Sequence, residues 1–241
     1  MAGKGAPLHM VVVTLDAHLT AVLEEAADRV ARALPGFRLS VHMASRWAND
    51  PGAADVANAD IARADIIVAH MLFLEDHYLP VIDALKARRE QCLAMMGCLS
   101  AGEVVKLTRL GKFRMDKEAG GALAILKRLR GRAKGPETAG ARQMALLRRL
   151  PKILRFIPGT AQDVRAYFLG MGYLLAGSAE NMEGLIRHLV ARYAPDRGLS
   201  EDAEPVHYPD VGLYHPRMSG RIAEDAAELP CIAGATGRVG L

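Results

Sequence analysis

Two hydrophobic periods alternate along the first hundred residues. His9 to Leu15 is a β-branched run that predicts a strand. From Leu19 the apolar positions Leu19, Val22, Leu23, Ala26, Ala27, Val30 and Leu34 keep the helical period until Pro35-Gly36 stops it. Phe37, Leu39, Val41 and Met43 then alternate with Arg38, Ser40 and His42, the pattern of a strand with one wetter face near a sheet edge. A short helix is predicted between Gly52 and Arg63. Asp65-Ile66-Ile67-Val68-Ala69 is a continuous apolar run after an acid, as in a strand buried on both faces. Leu79, Val81, Ile82 and Leu85 mark a further helix, and Cys92 to Gly97 a fourth strand. Ser100 and Glu103 have capping-box spacing, and Leu99 is placed to staple onto Val104. They predict a helix from Ala101 to Leu110, closed by Gly111.

Four strands separated by three helices, with connections long enough for crossovers, give the fold class: α/β, a parallel three-layer (Rossmann-like) sheet. Ligands of such sheets sit beyond the carboxyl ends of the strands. Here those ends fall at Asp16 and His18, Ala44 to Trp47, His70 to His77, and Gly97 to Ser100.

The character changes after about residue 115. Gly131 to Gly140 is a polar, turn-rich linker, and the signals beyond it are helical. Met144 to Ile157 reads as a helix bent or broken near Pro151, Ala161 to Ala176 as one capped by Thr160, and Ala179 to Tyr193 as one preceded by Ser178. The expected division is an α/β domain over 1–130, a linker over 131–140, and a helical segment leading into a further domain over 141–241. With no cap or strand partner at Gly237 to Leu241, the chain reads as a truncated one.

Charge adds an asymmetry. From Lys127 to Arg155 there are ten basic residues against one acid, Glu137, leaving 21 basic and 26 acidic residues elsewhere. If residues 142–157 are helical, Arg142, Arg149 and Lys152 share a face, with Arg148 and Arg155 beside it. Leu146, Leu147, Leu150, Ile153, Leu154 and Ile157 would pack inward. Such a block suits an acidic partner or an anionic ligand, or is simply solvated. Without interleaved aromatics it offers no stacking platform for nucleic acid. No apolar run reaches the length of a membrane span or a secretory signal core, so a cytoplasmic location is expected. Cys92, Cys98 and Cys231 lack zinc-site spacing and suit a reducing compartment.

Candidate chemistry gathers at the strand ends. Asp16-Ala17-His18 resembles part of the Asp-x-His-x-x-Gly pattern of cobalamin-binding domains, though Ala21 stands where that pattern has Gly. The other reading makes Asp16 a helix cap and His18 a surface residue. His70, Glu75, Asp76 and His77 bracket the turn after the third strand. They could meet a divalent cation or a porphyrin edge, or the acids could simply complement a helix start. Gly234, Gly237 and Gly240 do not have dinucleotide-loop spacing, and no phosphate-binding Gly-rich loop with Lys-Ser/Thr occurs.

Four stretches carry a resemblance: Ile66 to Glu90 (IIVAHMLFLEDHYLPVIDALKARRE), Ser100 to Met115 (SAGEVVKLTRLGKFRM), Phe156 to Leu189 (FIPGTAQDVRAYFLGMGYLLAGSAENMEGLIRHL) and Tyr208 to Pro216 (YPDVGLYHP). Together, and in order, they resemble the large porphyrin-binding subunits of magnesium chelatase and cobaltochelatase, in wording nearest the bacteriochlorophyll branch. The resemblance implies a part in inserting Mg²⁺ into protoporphyrin IX. ATP would be bound and hydrolysed by two partner subunits of the AAA+ type, consistent with the missing phosphate loop. Family members are several times longer, and their proposed catalytic groups lie downstream, so no catalytic residue is assigned here. The resemblance leaves two other readings open: a self-contained tetrapyrrole- or cobalamin-binding module using His18, and a docking domain without catalysis.

Overall fold

The computed structural model describes residues 7–116, 149–200, 204–208, 211–215, 217–218 and 222–230. The apolar runs become β1 (Leu8–Thr14), β2 (Phe37–Met43), β3 (Ile66–His70) and β4 (Ala94–Cys98). The helical stretches between them become α1 (His18–Ala33), α2 (Pro51–Ile61) and α3 (Glu75–Arg88). Among the described residues one sheet has the order β2-β1-β3-β4-β5-β6, in which β1 to β4 are parallel. The last two strands, β5 (Arg109–Leu110) and β6 (Phe113–Arg114), form a short antiparallel hairpin on β4.

Strand alternation sorts the apolar side chains into two cores. Met10, Val12, Ile66, Val68, Ala94 and Met96 point to one face, where Leu19, Leu23, Ala26 and Val30 of α1 cover them. Val11, Val13, Ile67, Ala69 and Met95 point to the other, against Ala57 and Ile61 of α2 and Val81, Ile82 and Leu85 of α3. β2 is an edge strand, as its wetter face implied. Its flank is closed by the buried Asp60 carboxylate, which accepts from Arg38, His42 and Arg63. Charged side chains along an edge discourage further strand pairing.

The helix expected from Ala101 to Leu110 is cut to a single turn, α4 (Gly102–Val105). Ser100 does not cap it: its Oγ donates to the Cys98 carbonyl and accepts from Leu72 N–H. What wins is Thr108. Its hydroxyl donates to Gly97 O and accepts from Gly97 N–H, both at 3.0 Å, drawing the chain back beside β4 as a strand. The close approach needs Gly97, since a Cβ there would lie 2.3 Å from the Val104 carbonyl oxygen. Gly111 closes the hairpin turn rather than the helix, at φ +55°.

Two long helices complete the first core: α5 (Thr160–Ala176) and α6 (Ala179–Tyr193). Thr160 is the first residue of α5, not its cap; Gly159 occupies that position and makes no side-chain cap bond. Ser178 caps α6 as expected, accepting from Asn181 N–H. Residues 149–154 are helical through Pro151 without a break. Leu150 and Leu154 are buried there, but Ile153 and Ile157, expected inside, are 49% and 43% exposed. Arg142, Leu146, Leu147 and Arg148, the 131–140 linker, Cys231 and Gly234 to Gly240 lie outside the described residues. The chain divides into two compact units, Met1–Pro205 and Val206–Leu241, and the second contains an antiparallel pair, β7 (Leu213–Tyr214) with β8 (Ile222–Ala223).

One carboxylate joins the hairpin to both long helices. Asp163, in the first turn of α5, accepts from Arg192 Nη2 at 2.7 Å, Lys112 N–H at 2.9 Å and the Tyr193 hydroxyl at 3.4 Å. At Gly111 a Cβ would sit 2.7 Å from this carboxylate. In urea unfolding, Asp163→Ala should cost about 2–3 kcal/mol, by stranding Arg192 and an amide, and Gly111→Ala about 2 kcal/mol. Because the added methyl clashes with the carboxylate itself, the double variant should be less destabilised than the sum of the two; simple additivity would count against this arrangement.

Candidate functional site

β2 lies on one side of β1 and β3 on the other, so the crossovers leave on opposite faces and a crevice opens between the β1 and β3 carboxyl ends. Thr14 and His70 are paired across this point, with Thr14 Oγ1 3.1 Å from His70 Nδ1. The same hydroxyl accepts from Asp16 N–H, and the Asp16 carboxylate accepts from His18 N–H at 2.9 Å. The Asp16 carboxylate thus holds the start of α1, while His18 is exposed. His70 is 2% exposed. Burial strips water from the imidazolium and pushes its pKa down to about 4, against the weaker pull of Asp16. A neutral ring with one nitrogen engaged can share a single hydrogen bond or ligate, but cannot anchor an anion by charge.

The next two strand ends are bound to each other. Met71 and Leu99 directly follow the paired residues His70 and Cys98, and both take left-handed backbone conformations, at φ 59° and 48°. Side chains with a Cβ rarely tolerate this, and here the surrounding bonds impose it. Leu72 N–H donates to Ser100 Oγ at 3.0 Å and Ala101 N–H to Leu72 O at 2.8 Å, stitching the two loops into one floor. Beyond it Phe73 and Leu74 are 50% and 62% exposed. Glu75 and Asp76 are exposed in the first turn of α3. The His77 carbonyl accepts from Trp47 Nε1 at 3.1 Å, which ties the segment after β2 to the first turn of α3. A hollow of about 190 Å³ lies there, with Met43, Trp47 and Val56 in its walls and Arg46 at its lining. Among the described residues no three His, Cys, Asp or Glu side chains are grouped to hold a metal ion.

The structure therefore brings together Asp16 and His70, and leaves His18, Glu75 and Asp76 at the surface. Of the two hydroxyls that organise the edge, the sequence reading missed Thr14 and gave Ser100 a helix-capping role in place of the loop-joining one it has. Their place at or just beyond the ends of apolar strands was the available signal. The left-handed turns had none, since neither Met nor Leu advertises such a conformation.

The described part of the basic block is solvent-facing. Arg149, Lys152 and Arg155 are exposed and make no side-chain hydrogen bond or ion pair among the described residues. Elsewhere Arg29, Arg114 and Arg192 each pair with a carboxylate.

His70 gives this edge a pH signature. The unfolded chain takes up its proton near 6.5, the folded chain near 4, so unfolding binds a proton between these values. Stability should fall by up to about 3 kcal/mol as pH drops through that window. His70→Gln should flatten that part of the profile. An imidazole resonance titrating near 6.5 for His70 in the folded chain would contradict the burial described.

The family described as "Domain of unknown function (DUF3479)" matches residues 9–168. The magnesium-chelatase H subunit of Cereibacter sphaeroides is 44% identical over 232 residues, covering 95% of this chain and 19% of the relative. The corresponding H subunit of Rhodobacter capsulatus is 40% identical over 97% of this chain and 20% of its own length. The chloroplastic magnesium-chelatase ChlH subunit of Oryza sativa is 30% identical over 153 residues, 62% of this chain and 11% of the relative. The chain thus spans about one fifth of the length of the bacterial relatives. The family match takes in the α/β sheet and the start of α5, and the chain belongs to the DUF3479 family.

Proposed function

We propose that this chain is the head of the porphyrin-binding subunit of a magnesium chelatase, a nitrogen–metal ligase of the bacteriochlorophyll branch. The complex inserts Mg²⁺ into protoporphyrin IX, driven by ATP that two AAA+ partner subunits hydrolyse. The observation that carries the reading is the 44% identity sustained over 95% of the chain. No helix among the described residues is long and apolar enough to cross a membrane, which is compatible with the proposed cytoplasmic site of the reaction.

Within that reading the chain's own groups do not perform insertion. The substrate ion must shed tightly held water and the pyrroles must lose protons, which calls for several carboxylates or imidazoles around one point. Asp16, His18, His70, Glu75 and His77 are proposed instead as contacts at the carboxyl edge, where a neutral His70 and the exposed Phe73 and Leu74 suit the edge of an apolar macrocycle. Arg149, Lys152 and Arg155 are proposed to receive carboxylates, from an acidic partner or from porphyrin propionates.

A chimera tests the family role. Replacing the matching N-terminal fifth of the R. capsulatus relative with this chain should leave Mg-protoporphyrin formation within about tenfold of the parent, a change of about 1.4 kcal/mol in barrier. A folded but inactive chimera would overturn the reading. The chain alone, mixed with both partner subunits, ATP and Mg²⁺, should give no Mg-protoporphyrin fluorescence above a control without it. Turnover in that mixture would place the insertion groups here. Porphyrin binding by the isolated chain that His18→Ala abolishes would favour the self-contained tetrapyrrole module.

A further inference from the structure

Nine consecutive residues, Arg149 to Ile157, present an unusual surface. Leu150, Pro151 and Leu154 are buried. Ile153, Phe156 and Ile157 are 49%, 84% and 43% exposed. Their spacing of three and four puts these three on one side of the turn, and Arg149, Lys152 and Arg155, each three residues apart, form a single row along one flank of them. The segment is held firmly in this attitude. Gln162 Nε2 of α5 donates to the carbonyls of Leu154 at 2.8 Å, Arg155 at 3.2 Å and Ile157 at 2.6 Å. Arg165 Nε donates to the carbonyl of Pro151 at 3.2 Å. The Pro151 and Leu154 carbonyls also accept from the amides of Arg155 and Ile157, so the side-chain bonds pin this turn from a second direction and the outward face is presented on fixed backbone.

From this we infer that Ile153, Phe156 and Ile157, bordered by the row of Arg149, Lys152 and Arg155, form a docking surface for a partner protein segment that carries carboxylates beside an apolar stripe. The inference deepens the proposed role of the chain in a multi-subunit chelatase and rests on it. Charge complementarity fixes the occupant's chemistry: the nine residues contain three cations and no acid. Three neighbouring cations without carboxylates of their own repel one another, and an acidic partner relieves this. Phe156 is the anchor, because a large exposed aromatic ring between the row of cations and the two isoleucines is the part that burial rewards most. Lipid is a poorer fit. The other face of this helix is committed to the core, and three apolar side chains beside three charges give only marginal attachment to a bilayer. Nucleic acid is poorer still, since one aromatic ring is no track for stacked bases.

The test measures binding of the 241-residue chain to each of the two purified ATP-hydrolysing partner subunits, at low and moderate salt. One subunit should bind, with an affinity that falls as salt rises. Phe156→Ser should weaken binding by about tenfold or more at both salt concentrations. Arg149→Gln, Lys152→Gln and Arg155→Gln together should weaken it at low salt and remove most of the salt dependence. Thermal unfolding of each variant should match the parent, since the altered side chains are exposed. If the chain binds neither subunit, or both variants bind as the parent does, the surface is not a docking site. Co-sedimentation with phosphatidylglycerol vesicles at moderate salt, lost in both variants, would overturn the inference in favour of a lipid surface. Protoporphyrin binding lost in the Gln variant alone would overturn it in favour of propionate recognition. The chimera assay judges the family role separately, because it reads metal insertion with this patch intact.

Discussion

The Asp163 carboxylate is the constraint on which the helical half of the molecule depends. Nothing in the sheet alone requires α5 and α6 to sit where they do; apolar burial would tolerate several rotations. A buried carboxylate with donors from a hairpin amide, an arginine and a tyrosine accepts only one. It fixes the amino end of α5, the carboxyl end of α6 and the β5–β6 turn with a single side chain. Packing then follows the geometry, with Tyr167 reaching across to the Gly97 carbonyl at 3.2 Å and lying edge-on to Phe113.

The opposite edge of the sheet is organised by hydroxyls rather than charge. Thr14 joins β1 to β3 through His70, Ser100 joins the loops after β3 and β4, and Thr108 joins β4 to β5 through Gly97. Ser100 and Thr108 each give and accept, and Thr14 accepts from Asp16 N–H while bonding His70 Nδ1, so each hydroxyl satisfies two partners at little desolvation cost. The carboxyl edge is consequently preformed, with its two left-handed residues held from below. Its rim of Phe73 and Leu74 faces outward from a fixed floor.

Much of this was legible in the chain. The β-branched run before Leu15, the period from Leu19 to Leu34 and the buried run after Asp65 each produced the element they imply. Those signals are strong because one whole face of each element must be buried. The failures cluster where a local preference met a distant partner. Ser100 and Glu103 spell a helix start, yet Thr108 bonds to Gly97, eleven residues away, and wins. Ile153 and Ile157 follow the inward period, yet the helix turns them out because Leu150 and Leu154 already fill the core. For the candidate site, the strand-end positions of Asp16 and His70 could be read from order alone. Their joining through Thr14 depended on register, which no local pattern reveals.

Gln162 and Asp163 are neighbours in sequence, yet they grip different things. Gln162 gathers three carbonyls from the turn after residue 154, and Asp163 clasps the hairpin and the end of α6. One helical turn is thus the common bearing of four elements. In mechanical terms the 149–157 segment is a strut seated in a socket, not an arm on a hinge. A load applied at Phe156 would reach the β5–β6 hairpin and α6 with little slack, because the joint between them is a single peptide bond.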